Sequence, residues 1–200
     1  MARDMVFIFS SLFFLLVRPA VSDRFCPSGL FLPDGNARVI VIFSHESAYA
    51  IDVQNKLMIT QTFSVVDIFD AGASLPSSTY LQKYHAALVF GSNFASAALG
   101  TVLANYWDFG GGVVIAFDAN QGSSLQGRIS IDYILMNGTS SWDFSNESLG
   151  MIFEPMSPLL LNVTTLRAAT ALYSLGGIVN QGVVVASWSN GRPLVVQRVR

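Results

Sequence analysis

The chain has 200 residues, a formal net charge of -2, 52% hydrophobic residues and 12% charged ones. So apolar a composition excludes an intrinsically disordered protein, and without a basic excess no nucleic-acid surface is expected. The length suits one domain with a full core.

Residues 1–22 read as a targeting segment. Arg3 precedes an apolar run from Met5 to Val17, broken only by Ser10 and Ser11, and Ala20-Val21-Ser22 suits a cut after Ser22. The run is short beside the roughly 20 residues of a membrane span, so membrane association is expected only if this segment stays as an uncleaved anchor. Residues 23–36 form a lead-in with Pro27, Gly29, Pro33 and Gly35, and 37–200 make a single α/β domain. Cys26 is the only cysteine, which rules out an intrachain disulfide. No Cys or His run has metal-site spacing, and neither metal nor cofactor is expected.

The first strand is Arg38 to Phe43, leaving Ser44-His45-Glu46-Ser47 at its carboxyl end. A helix from Ala48 to Thr60 follows, with Ala50, Val53 and Leu57 on one side and Asp52 and Lys56 paired at i, i+4. Phe63 to Phe69 is the second strand; Asp70-Ala71-Gly72 reads as a turn, and Pro76-Ser77-Ser78 opens a short helix. Ala86 to Phe90 is apolar without alternation, as a strand covered on both faces should be. Gly91-Ser92-Asn93 comes next, and Ser92 or Asn93 is the expected helix cap. In the helix, Leu99, Val102, Leu103 and Tyr106 make one apolar stripe, and Gly110-Gly111-Gly112 ends it. The glycines precede a strand rather than a helix, the wrong end for a phosphate cradle. Val113 to Phe117 is the fourth strand, so the central stretch is a βαβ unit.

After Asn120 the pattern loosens. A short strand is expected near Ile129 to Ile134, with Trp142 and Phe144 folding back on the body and Pro155 to Leu161 extended. Val183 to Trp188 and Leu194 to Val199 flank Asn190-Gly191, a hairpin signal. Alternating strands and helices predict an α/β fold of flavodoxin-like type, with helices on both faces of a mostly parallel sheet ordered 2-1-3-4. The C-terminal hairpin should extend an edge of that sheet. Its switch point then lies between the first and third strands, bringing Ser44, His45 and Glu46 beside Ser92 and Asn93, with Asp118 one strand further.

Tyr84-His85-Ala86-Ala87-Leu88-Val89-Phe90, Leu99-Gly100-x-x-Leu103-Ala104-x-Tyr106 and Gly110-Gly111-Gly112-Val113-Val114 together resemble the class I glutamine amidotransferase-like superfamily, and within it the ThuA-like proteins and related uncharacterised secreted domains. The resemblance spans roughly residues 37–198, with the central unit its specific part. It implies that Asp118 and Asn120 stand where the family carries its nucleophile elbow. The family's elbow is Gly-x-Cys-x-Gly; here it is Ala116-Phe117-Asp118-Ala119-Asn120. With no thiol to form a thioester, glutaminase chemistry is not expected.

Candidate site residues follow from this placement. His45 with Glu46 offers a base and a carboxylate to orient it, although Glu46 equally suits the first turn of the next helix. Asp118 can take a proton or bind a sugar hydroxyl, or cap a turn together with Asn120. Ser44, Ser92, Asn93 and Asn120 are ligand-binding candidates. His85 reads as a surface residue; Trp107 and Trp142 offer aromatic faces for a carbohydrate site but read first as core packing. The expected role is a non-catalytic binding module for carbohydrate or a partner protein, secreted or in the secretory lumen. The competing role is an enzyme acting on a sugar-like substrate through His45, Glu46 and Asp118. Acceptor triplets at Asn137, Asn146 and Asn162 support the secretory location, and in a eukaryote at least one should carry a glycan.

Overall fold

The computed structural model describes residues 14–17, 37–45, 47–91, 94, 96–116, 119, 125–137, 142–160 and 163–198. The chain is α/β, with a mostly parallel five-stranded sheet and a second, antiparallel sheet of four strands. The elements run β1 (Phe14–Val17), β2 (Ala37–Phe43), α1 (Ser47–Ile59), β3 (Phe63–Asp70), α2 (Ser78–Leu81), β4 (Ala86–Val89), α3 (Ala97–Asp108), β5 (Gly112–Ala116) and α4 (Arg128–Asp132). They continue as β6 (Trp142–Ile152), a 3-10 turn (Pro158–Leu160), β7 (Arg167–Ser174), β8 (Val183–Trp188) and β9 (Pro193–Gln197).

In the first sheet β3, β2, β4 and β5 lie side by side and parallel, the 2-1-3-4 order expected from sequence. Alternate residues of β2 serve opposite faces. Val41 and Phe43 pack with Ala50 and Val53 of α1, while Ile40 and Ile42 join Leu99, Leu103 and Tyr106 of α3. Burial on both sides is why these strands are apolar without alternation, each large side chain contributing about 1.5–3 kcal/mol.

The glycine stop works through two different requirements. Gly110 has φ 93°, the left-handed region, and a Cβ on Gly111 would lie 2.2 Å from the Tyr106 ring. That ring is held in place, since Tyr106 Oη donates to the Tyr84 carbonyl at 2.9 Å. The cap at the other end differs from expectation. Ser96 Oγ accepts from the Leu99 amide at 3.2 Å, so the helix starts beyond Ser92 and Asn93, both outside the described residues.

Three assignments in the second half need correction. Ile129 to Ile134 does not form a strand. In a strand Ile129 and Ile131 would share a face, but Ile129 is 1% exposed and Ile131 72%, the split that α4 produces. The run expected to be extended from Pro155 to Leu161 is not so over its described part, residues 155–160, because the Ser157 carbonyl accepts from the Leu160 amide and closes the 3-10 turn. The terminal hairpin does not extend the parallel sheet. β8 pairs with β6, β6 with β7, and the second sheet runs β7-β6-β8-β9. β6 falls mostly in the stretch where the sequence pattern loosens, and β7 drew no expectation from the sequence. Val196 of β9 packs in the same cluster as Ile115, Tyr133 and Leu135, so the two sheets share a core.

The edges of the parallel sheet are treated differently. On β3, Asp67 lies between Val65 and Phe69 on the α2 side, its Oδ2 taking a 2.6 Å hydrogen bond from Tyr84 Oη. An inward charge on an edge strand discourages pairing with another chain. On the opposite edge β1, within the segment read as a targeting signal, pairs antiparallel with β5, Phe14 opposite Ala116 and Val17 opposite Val113.

Candidate functional site

The carboxyl ends of β2, β3 and β4 meet at one rim. The β2–β3 ladder ends at Phe43 opposite Asp70, and the Ala71 amide extends it by donating to the Phe43 carbonyl at 2.7 Å. On the other side the Phe90 amide donates to Ile42, and Gly91 turns the chain away with φ 95°. Ser44 therefore emerges between the β3 turn and Gly91, at the switch point.

Ser44 is 1% exposed, and its Oγ has no hydrogen-bond partner among the described residues. A buried hydroxyl in that condition costs about 1–3 kcal/mol unless something else satisfies it. His45 follows with φ 63°, a left-handed backbone uncommon for a side-chain-bearing residue, and its imidazole is exposed. The turn below is held by Asp70, whose Oδ1 accepts from the Gly72 amide at 2.8 Å. Asp70 is thus a turn former, as expected. A Cβ on Gly72 would sit 2.8 Å from His45 Cε1, 2.9 Å from its Nε2 and 2.9 Å from Ser44 Oγ. The imidazole and the buried hydroxyl therefore both pack against Gly72 on the side where a Cβ would project, and the absence of a side chain at 72 leaves room for them.

Of the other candidates, Glu46, Ser92, Asn93, Asp118 and Asn120 lie outside the described residues, as does Asn162. Ala116 and Ala119, on either side of Asp118, are buried. Asn137 and Asn146 are exposed. Among the described residues no three of His, Cys, Asp and Glu group to hold a metal, and no helix is long and apolar enough to cross a membrane.

His85 is not a free surface residue. It is half-buried at the amino end of β4, where its Nδ1 accepts from the Arg38 amide at 2.9 Å, so it is at the opposite end of the sheet from His45. Trp107 is core, 1% exposed and edge-on to Tyr133 at 6.3 Å.

Polar clusters that the sequence reading missed serve the fold. Arg128 bonds Asn105 Oδ1, Asp108 and Tyr133 Oη, clasping α4 to α3. The bond to Asp108 is the chief cause of the raised Arg128 pKa. Tyr84 Oη lies 3.1 Å from Tyr80 Oη as well as bonding Asp67. Burial first, and then the bond to Asp67, push the Tyr84 phenol well above its ordinary value. The available signal was Asp67 itself, a carboxylate inside the apolar run FSVVDIF.

No family model matches the chain, and no curated protein matches it. Among solved structures it is similar to a protein of Bacteroides uniformis assigned as ThuA-like, with a TM-score of 0.59 over 86% of this chain and 84% of the other at 13% identity. At that identity the likeness speaks for the fold alone, and the fold it speaks for is that of a ThuA-like protein.

Proposed function

We propose that the chain is a secreted or luminal binding domain of amidotransferase-like, flavodoxin-like fold, and that the rim at Ser44, His45 and Gly72 takes a neutral, hydroxyl-rich ligand such as a carbohydrate. The observation that carries the reading is the buried Ser44 Oγ, without a partner among the described residues and close to the His45 ring above Gly72. A ligand hydroxyl both donates and accepts, so it can satisfy a serine and an imidazole together. In open α/β sheets ligands bind outside the strand carboxyl ends at the switch point, where this pair stands. The single cysteine, Cys26, precedes the domain, which argues against thiol chemistry. The apolar leader ending at Ser22 supports the secretory location.

Calorimetric titration of a panel of neutral mono- and disaccharides against the full chain tests this. Ser44→Ala should weaken the best binder by about two- to tenfold, the loss of one hydrogen bond, and His45→Ala by at least as much. Equal affinity in both variants would overturn the assignment of the rim. The exposed imidazole also suits a general base, with Glu46 and Asp118 as its partners. Turnover of the bound sugar, abolished in His45→Ala and Asp118→Ala, would make the domain an enzyme.

A further inference from the structure

The geometry points to Asn146 as a glycan-bearing residue that is modified before the β8–β9 hairpin closes on it. The inference rests on the secretory location proposed above, not on the rim. Across the β6–β7 pair Ser145 faces Ala171 and Glu147 faces Ala168, so the extra residue lies on β7, where Ala169 and Thr170 fall opposite Asn146. The β7 bulge interrupts the regular pairing at Asn146, which is exposed. An exposed acceptor in Asn-Glu-Ser has room for a sugar that a core-facing position would refuse.

The other two residues of the triplet are held fast. Ser148 donates its amide to Ser189 Oγ at 3.1 Å and accepts from the Ser189 amide at 2.9 Å. The Glu147 carboxylate, 8% exposed, takes bonds from Ser189 Oγ, from the Asn190 amide at 3.1 Å and from Asn190 Nδ2 at 2.9 Å. These partners lie more than 40 residues downstream, in the turn between β8 and β9. A transferase must hold the asparagine amide and the serine hydroxyl together in its own cleft. A triplet stapled between β7 and the hairpin turn cannot be lifted into one without breaking these bonds. The unstapled chain, before residues 183–197 dock, meets the requirement.

The co-reactant is an activated glycosyl diphosphate. Nδ2 of Asn146 attacks the anomeric carbon, the C–N bond forms as the C–O bond to phosphate breaks, the diphosphate leaves with the electron pair, and the amide gives up one proton.

The test is expression of the full chain in a eukaryotic secretory host, with glycosidase release in heavy-oxygen water and peptide mass spectrometry. Asn146 should carry the tag, and Asn146→Gln should lose one glycan's mass. An untagged Asn146 overturns the inference, and finding the chain in the medium or inside the cell then tells whether the secretory reading falls with it. The order of events is tested on unglycosylated full chain given microsomal transferase and donor. Urea-unfolded chain, freshly diluted, should be modified at Asn146 at least tenfold faster than native chain. Equal rates would overturn the ordering.

Discussion

The imidazole of His45 lies over Gly72, so that a Cβ placed there would come within 2.8 Å of Cε1. Two turns on neighbouring strands thereby fix the ring beside the Ser44 hydroxyl. Gly72 is not in the left-handed region, so its backbone tolerates alanine, but both the imidazole and the buried Ser44 hydroxyl must move. Gly72→Ala should therefore weaken ligand binding about tenfold and lower stability by about 1–3 kcal/mol, as overpacking beside a buried hydroxyl does. Paired calorimetry and urea unfolding would check it.

His45 itself holds a conformation that glycine would adopt without strain. His45→Gly should raise stability by about 1 kcal/mol and remove binding. A loss of stability on urea unfolding would mean that the ring's packing on the Gly72 turn outweighs the backbone strain.

The helical reading of residues 128–132 separates two isoleucines that a strand would have placed together. Ile129→Ala should cost about 2–4 kcal/mol and Ile131→Ala less than about 0.5 kcal/mol. Similar costs in chemical denaturation would restore the strand.

Tyr84 and Tyr106 both have phenol pKa values raised above the ordinary value near 10, the first by burial and Asp67, the second by burial. A phenol easier to ionise in the unfolded chain leaves stability intact below about pH 10 and removes it as pH rises further. Urea midpoints should be flat up to pH 9 and then fall, and the fall should be shallower in Tyr84→Phe. At neutral pH that variant should itself lose about 1.5–3 kcal/mol, because Asp67 Oδ2 loses its donor.

Glu147 is the staple of the second sheet. Glu147→Ala leaves the Ser189 hydroxyl and the Asn190 amides without their carboxylate and should cost about 2–4 kcal/mol. Hydrogen exchange should show the Ser189–Arg192 turn opening first.

The parallel sheet was legible in sequence because its strands are buried on both faces. Runs such as RVIVIF and HAALVF have no other easy reading, and Asp70 and the triple glycine punctuate them by local chemistry. The second sheet was not, because its information is not local. β6, WDFSNESLGMI, looks like loop sequence, and its place depends on pairing with β7 and on a Glu147 bonded to a turn over 40 residues away. β7, RAATALYS, has neither alternation nor bulk to mark it. At the rim the sequence placed Ser44 and His45 correctly at a strand end. The left-handed turn of His45 and the Gly72 gap beneath it are properties of two loops packed together, which no single stretch encodes.

The two borders of the parallel sheet have an unequal consequence. Asp67 keeps the β3 side unattractive to a visiting strand in every form of the chain. The β5 side, Gly-Val-Val-Ile-Ala, carries no charge, proline or bulge and relies on Phe14–Val17 as its cover. Cleavage after Ser22 would strip that cover away and leave a row of amides and carbonyls seeking a new neighbour, so the trimmed chain should self-associate at concentrations where the untrimmed chain stays dispersed.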